Sequence, residues 1–368
     1  MRLPFCDHHI SAILDHLGEK PLDGFLSRYF REHKSIGAHD RRLIGETLYQ
    51  MVRWKSLIDH FCPSPSPLRR LAAFRALSLE ACAQDASIPE PARLGIPPFL
   101  WDRFCQIFGV EKARQLCRTL NLSAPTTIRV NALKTTPELL LEKWKGKFEC
   151  FRCKEASMGI QFKKREPLFA LPEFKEGFFE VQDEGSQLVA ELVDAGPGDQ
   201  VLDYCAGSGG KTLSFAPKMK GKGQIYLYDK RPWILQEARK RLKRAGVQNG
   251  QFVLPKTPVD WLLVDVPCSG TGTLRRNPDA KWKIDAALVD RLIVQQREIV
   301  QESFKFLKPG GKLVYATCSI LPEENESQIA YLLAHYPLTL EKQLSFLPEE
   351  NGKDGFFAAV LKRDDLIG

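Results

Sequence analysis

At 368 residues, 43% of them hydrophobic and 27% charged, the chain is long enough for two or three domains and too apolar to be disordered. Met1–Ser11 lacks the apolar run of a secretory leader, and no uninterrupted apolar stretch is long enough to cross a bilayer, so a cytoplasmic protein without a membrane association is expected. The net charge of +8 suits a polyanionic partner, and ten cysteines in that compartment are expected to stay reduced rather than form a disulfide framework.

Residues 1–95 read as helical. Ile10, Ile13, Leu14 and Leu17 have amphipathic spacing, as do Leu43, Ile44, Leu48, Met51 and Val52. Pro63, Pro65 and Pro67 interrupt this pattern before a further helix from Leu68 to Ala83. Pro97-Pro98 marks a boundary, and Phe99–Leu120 reads as one or two more helices. The texture then changes. Thr127–Asn131 reads as a strand, Pro137–Trp144 as a helix and Phe148–Phe162 as short strands, which together make a small α+β module. Cys150 and Cys153 form a lone C-x-x-C with no second pair, so no metal site is expected. Val181–Gln187 leads into a helix through Leu192, with Asp183 or Ser186 as its cap.

After Gly196-Pro-Gly198 the pattern alternates between strand and helix. Strands are expected at the residues before Asp203, at Gln224–Tyr228, Gln251–Leu254, Trp261–Val264, Lys312–Ala316 and Gly355–Lys362. Helices are expected at Arg231–Ala245, Ile284–Leu307 and Glu323–Ala334, with Lys308-Pro-Gly-Gly311 as a turn. Alternation of this kind implies a mostly parallel, doubly wound α/β sheet. The expected order is an all-helical domain over 1–95, linking helices and the α+β module over 96–180, and the doubly wound domain over 181–368. Ligands of such sheets sit beyond the carboxyl ends of the strands. Cys205, Asp229, Asp265, Cys268 and Cys318 all fall there.

The stretch Val201–Thr212, VLDYCAGSGGKT, is a glycine turn between strand and helix, through which backbone N–H groups can approach a ligand. A phosphate-binding P-loop would need glycine where Cys205 stands. A dinucleotide fingerprint would need it at Thr212. The third reading is S-adenosylmethionine, which carries no phosphates. Asp229, at the end of the next strand, can accept two hydrogen bonds from a ribose diol, or cap the following helix. Asp203 can anchor the loop or meet an ammonium group.

Two motifs argue for a reaction. Asp265-Val-Pro-Cys-Ser-Gly-Thr-Gly272 and Ala316-Thr-Cys-Ser319 each present a cysteine just past a strand, beside hydroxyl groups. A thiolate is the soft nucleophile that adds to an electron-poor ring carbon. Added to C6 of a cytosine it converts the ring to an enamine whose C5 can attack an electrophilic methyl group. A carboxyl group such as Asp265 can stabilise the charge at N3. One cysteine suffices for addition and a second can assist elimination; the chemistry alone does not say which is which. Lys230, Arg231, Arg239, Lys240, Arg241, Lys243 and Arg244 crowd one expected helix, and Arg275, Arg276, Lys281 and Lys283 surround Trp282 after the first cysteine motif. Cations beside an aromatic favour nucleic acid over a small metabolite.

These motifs resemble the RNA cytosine-5 methyltransferases of the Nol/Nop/Sun (Fmu) family, from about Thr127 to the end of the chain. The resemblance is carried by the RVN at Arg129, VQDEGSQ, the glycine loop, VDVPCSGTGTLRRNPDAKWK, YATCSILPEENE and DGFFAAVLKR. It implies a Rossmann-like methyltransferase domain using S-adenosylmethionine, with Cys318 as nucleophile and Cys268 in product release. Asp265 is the expected N3 partner. The expected cofactor set is Asp203, Cys205, Ala206, Gly207, Ser208, Gly209, Gly210, Lys211, Asp229, Arg231 and Asp265, with Lys211 between cofactor and substrate. Asp40–Arg53 resembles the NusB-like RNA-binding domain of the ribosomal branch, which implies small-subunit ribosomal RNA as partner, with transfer RNA as the competing substrate and a monomer as the expected state. Two departures stand out. Ala206-Gly-Ser-Gly-Gly-Lys211 replaces the family's Ala-Pro-Gly-Gly-Lys, and Val253–Pro258 lacks the carboxylate that the family directs toward adenine. Outside this reaction class, a non-catalytic RNA-binding or ribosome assembly factor and a small-molecule methyltransferase are the alternatives.

Overall fold

The computed structural model describes residues 3–16, 22–63 and 66–365, so Leu17 and Pro65 lie outside the described residues. The chain forms two compact units, Met1–Ser123 with Leu274–Leu288, and Ala124–Thr273 with Val289–Gly368. The divisions read from the sequence near 95 and 180 cut across these units. Helices Pro98–Phe108 and Val110–Leu120 belong to the first, and the α+β module belongs to the second.

The first unit is helical. Helices Leu3–Leu14, Leu22–Glu32, Ala38–Arg53 and Pro67–Ala76 bury one apolar stripe each, meeting at Ile10, Ile13, Leu22, Ile44, Leu48, Met51 and Leu71. The segment 274–288 is built into this unit. Trp282 donates its indole N–H to the Val52 carbonyl at 2.7 Å. Lys281 donates to the Arg53 carbonyl (2.8 Å), the Gly95 carbonyl (2.5 Å) and Asn121 Oδ1 (2.8 Å). Burial, aided by repulsion from Arg53, holds the Lys281 ammonium well below its ordinary pKa. Arg275 and Lys281 are each 1% exposed, which corrects their reading as cations that face RNA. Adjacent Trp282 and Leu274 draw the segment into apolar surroundings, and backbone carbonyls replace water around the charge.

The second unit holds two sheets. Strands β1 (Thr126–Val130), β2 (Cys150–Arg152), β3 (Gly159–Phe162) and β4 (Phe179–Val181) form an antiparallel sheet in the order β2-β3-β1-β4. Helix Pro137–Trp144 covers it, with Trp144 packed on Phe162 and Phe179. The larger sheet contains β5 (Gln200–Asp203), β6 (Gln224–Leu227), β7 (Gly250–Gln251), β8 (Val259–Asp265), β9 (Leu307–Thr317), β10 (Leu338–Phe346) and β11 (Phe356–Arg363). Its order is β10-β11-β9-β8-β5-β6-β7. Strands β7, β6, β5, β8 and β9 are parallel, and β11 runs antiparallel between β9 and β10. This is the doubly wound architecture that the alternation implied, with the order reversing beside β5, where such sheets bind ligands.

Several elements differ from the sequence reading: Leu68–Ala83 divides into helices Pro67–Ala76 and Leu79–Gln84, the strand read at Gln251–Leu254 is Gly250–Gln251, and β9 and β10 differ as well. Lys308–Gly311, read as a turn, lies inside β9; the irregularity appears instead as a register shift against β8 between Val259 and Trp261. Strand β10 was not read at all. Its residues after Leu338 are mostly exposed, as befits an edge strand, yet Leu338, Leu340, Leu344 and Phe346 alternate with polar residues, broken only at Lys342.

Candidate active site

Strand β5 ends in buried Asp203, and the chain turns through Gly207 (φ 52°) and Gly209 (φ 77°). A side chain at Gly209 would meet Leu242 at 3.1 Å and Ala238 at 3.3 Å, so the turn packs directly on helix Ile234–Ala245. Arg129 of β1 is buried and clamps the turn from outside. It donates to the Gly210 carbonyl at 2.9 Å and to Gln182 Oε1, and burial pushes its guanidinium down to about 9. Arg241 donates to the Ser208 carbonyl (3.0 Å) and is held, with Arg244, by buried Glu180. These two arginines of the basic helix thus serve the loop rather than a polyanion. Lys230, Arg231, Arg239, Lys240 and Lys243 remain exposed.

A cleft of about 690 Å³ opens above β5, β6 and β8. Asp203, Cys205, Ala206, Gly207, Ser208, Gly210, Lys211, Asp229, Arg231 and Asp265 line it; of the cofactor set read from sequence, Gly209 alone does not. Asp229 accepts from the Gly207 N–H (2.9 Å), the Arg231 N–H (2.9 Å) and Arg231 Nε (3.1 Å). Burial would raise its pKa, but Arg231 and the backbone donors hold it below the usual carboxylate range. It caps no helix, because the following helix begins at Ile234. A second Arg231 nitrogen reaches its other oxygen at 3.3 Å, so a ligand diol would take the place of the Arg231 side chain on this carboxylate.

Asp203 is 1% exposed. Its Oδ2 accepts from the Thr212 hydroxyl at 2.6 Å, while its Oδ1 is buried without a partner among the described residues. Burial pushes this carboxyl up to about 7, against the Thr212 hydrogen bond and with Asp265 adding to the rise. An orphaned acidic oxygen on the wall of a cleft fits a cationic ligand group such as an α-ammonium. Lys211 pairs with Asp265 Oδ2; burial alone would depress the ammonium, and Asp265 reverses this, so the Lys211 pKa lies above its ordinary value.

The register explains how the two cysteines meet. Asp265 of β8 pairs with Ala316 of β9, so Cys268 and Cys318 leave adjacent parallel strands at the same height. Their sulfurs lie 3.4 Å apart. The hydrogen bond between them, in which either thiol can donate, lowers the Cys318 pKa despite burial and Asp265, and Lys211 adds to the lowering. The same hydrogen bond, together with burial, raises Cys268. The pair is therefore unequal, with Cys318 the more acidic thiol.

Sequence reasoning missed the network that fixes both cysteine loops. Glu324 is fully buried and accepts from the Ser269 N–H (2.9 Å), the Ser269 hydroxyl and Gln296 Nε2 (3.0 Å). The Ser269, Thr271 and Ser319 hydroxyls lie within 3.2 Å of one another. Asn325 accepts from the Thr317 hydroxyl (2.6 Å) and donates to the Ser319 carbonyl (3.0 Å). The available signal was the concentration of hydroxyl residues in SGTG and of acidic and amide residues in EEN, within the quoted motifs. Among the described residues no group of three or more His, Cys, Asp or Glu could hold a metal ion, and no helix is long and apolar enough to cross a membrane.

Comparison with known proteins agrees with this geometry. Residues 190–362 match the family model described as 16S rRNA methyltransferase RsmB/F, and residues 96–168 match the RsmF/B-like ferredoxin-like domain. A probable ribosomal RNA small subunit methyltransferase B of Synechocystis sp. is 33% identical over 73% of this chain and 66% of its own length. A protein of the same description from Bacillus subtilis is 28% identical over 93% of this chain and 87% of its own. The chain thus spans just under two thirds of the Synechocystis relative. The solved structure titled PH0851 superposes with a TM-score of 0.81 at 25% identity, covering 96% of this chain and 97% of that one.

Proposed function

The chain belongs to the 16S rRNA methyltransferase RsmB/F family, and from that premise we propose that it methylates C5 of a cytosine in small-subunit ribosomal RNA through a covalent bond from Cys318 to C6. Its cofactor is S-adenosylmethionine. The cleft suits that molecule, with the orphaned Asp203 oxygen for the amino group, the backbone of the glycine turn for the amino-acid end and Asp229 for the ribose. Bound there, S-adenosylmethionine supplies an electrophilic methyl group.

The chain's own residues perform the rest. Cys318 adds as thiolate to C6, and the displaced ring electrons make C5 nucleophilic. N3 takes a proton from water, Asp265, held by Lys211, accepts the N3–H hydrogen bond, and N3 gives the proton back to water when the sulfur leaves C6. After C5 is methylated, a base removes its proton, the C5–C6 double bond reforms and the sulfur leaves C6. Cys268, hydrogen-bonded to Cys318, is placed to assist that departure. The base must leave its stack to reach these groups, which favours single-stranded or loop RNA at a cost of a few kcal/mol.

The observation that carries the reading is the 3.4 Å approach of two thiols with opposite pKa shifts. Cys318→Ala should reduce methyl transfer by at least about 10³-fold while cofactor binding is kept. Cys268→Ala should accumulate an RNA–protein adduct that survives denaturing electrophoresis. Retained turnover in Cys318→Ala, or adduct formation by Cys318→Ala itself, would contradict the assignment.

A further inference from the structure

Besides the glycine turn, Asp229, Lys211 and Asp265, the same cleft is lined by residues that the amino-acid end and the ribose do not use, and these are left for the purine. The segment after β7 provides nothing polar for it. Val253–Pro258 contains no carboxylate, Val253 is 58% and Leu254 37% exposed, and none of these residues lines the cleft. The wall is formed instead by Tyr204 and Tyr228, whose ring centroids are 4.7 Å apart, by Pro267, and by Ile299 on helix Ala286–Phe304. Two carboxylates from that helix, Glu298 and Glu302, complete the lining. They stand four residues apart and so share one helix face. Glu302 is the oriented one. Its Oε2 accepts the Tyr204 hydroxyl at 3.1 Å, which leaves its other oxygen to accept from a ligand.

We propose that Glu302, positioned by Tyr204, accepts a hydrogen bond from the 6-amino group of adenine and so supplies from the helix after β8 the recognition that the segment after β7 lacks. The aromatic and aliphatic wall stacks on the purine, and Glu302 reads its edge. Glu302 is exposed in the unliganded chain, so the discrimination is that of one charge-assisted hydrogen bond, which a 6-amino group can donate and a purine without it cannot. Tyr204 acts through Glu302 and is a positioning residue.

The inference rests on the cofactor reading above, and a binding measurement separates the two. Dissociation constants are measured by calorimetry for S-adenosylhomocysteine and for its analogue bearing unsubstituted purine, on the full chain and on Glu302→Ala and Tyr204→Phe. The unsubstituted protein should prefer the adenine compound by about 10–100-fold. Glu302→Ala should bind the two compounds within about threefold of each other, and Tyr204→Phe should give an intermediate ratio. Each ratio is taken within one protein, so a variant that is partly unfolded still reports it. The same preference in Glu302→Ala as in the unsubstituted chain would overturn the role of Glu302. Failure of the unsubstituted chain to bind either compound would overturn the cofactor reading with it.

Discussion

The two oxygens of Asp203 differ, and if the proposed ammonium contact is made there, cofactor binding should depend on pH. One is satisfied by Thr212 and the other is buried alone, with the carboxyl pushed up to about 7. Without ligand, the folded protein holds a proton here that the unfolded chain releases near the ordinary carboxylate pKa. This contribution to stability is present at low pH and is lost as pH rises through about 7. A cationic ligand reverses the preference, because it needs the ionised form. Binding of S-adenosylhomocysteine should therefore weaken as pH falls below about 7, approaching tenfold per pH unit, with proton release on binding. Calorimetry in buffers of different ionisation enthalpy checks both. Asp203→Asn should bind more weakly and lose this dependence; an unaltered pH profile in that variant would place the ammonium elsewhere.

At the scale of elements, the catalytic geometry is a property of two adjacent parallel strands and the hydrogen bonds beyond their ends. Register brings Cys268 and Cys318 to one height, and Glu324 holds the loops there. Glu324→Ala would leave the Ser269 N–H unpaired in the interior and remove one of the two acceptors of Gln296 Nε2, which keeps the Pro267 carbonyl. It should cost about 2–4 kcal/mol in denaturant unfolding and lower turnover more than cofactor affinity. Equal losses of both would mean that the network supports the whole sheet rather than the cysteines. The strands and the residues at their ends were legible because buried parallel strands are short apolar runs bounded by glycine, proline and aspartate, as around Leu202 and Leu263. Strand β10 was legible in principle, because Leu338, Leu340, Leu344 and Phe346 alternate with polar residues; Lys342, beside the register shift against β11, interrupts the pattern. The Glu324 network was illegible. Glutamate is ordinarily a surface residue, and only the tertiary fold shows that this one is enclosed by donors. The charge clusters misled in part, since composition does not distinguish Lys281 in a carbonyl cage from Lys243 in solvent.

For the whole molecule, the net charge of +8 sets the long-range behaviour toward a polyanion even after several cations are assigned to structural work. RNA affinity should fall by at least about tenfold between about 50 and 200 mM salt, measured by filter binding, because bound cations displace condensed counterions. A substrate that carries no phosphates would show almost no such slope, which would favour the small-metabolite alternative. The most direct test of the account is transfer of labelled methyl from S-adenosylmethionine into unmethylated small-subunit ribosomal RNA and, in parallel, transfer RNA, followed by digestion to nucleosides. Label in 5-methylcytidine from the ribosomal RNA is the predicted result. Label in any other nucleoside, or none in either RNA from protein that binds the cofactor, would contradict it.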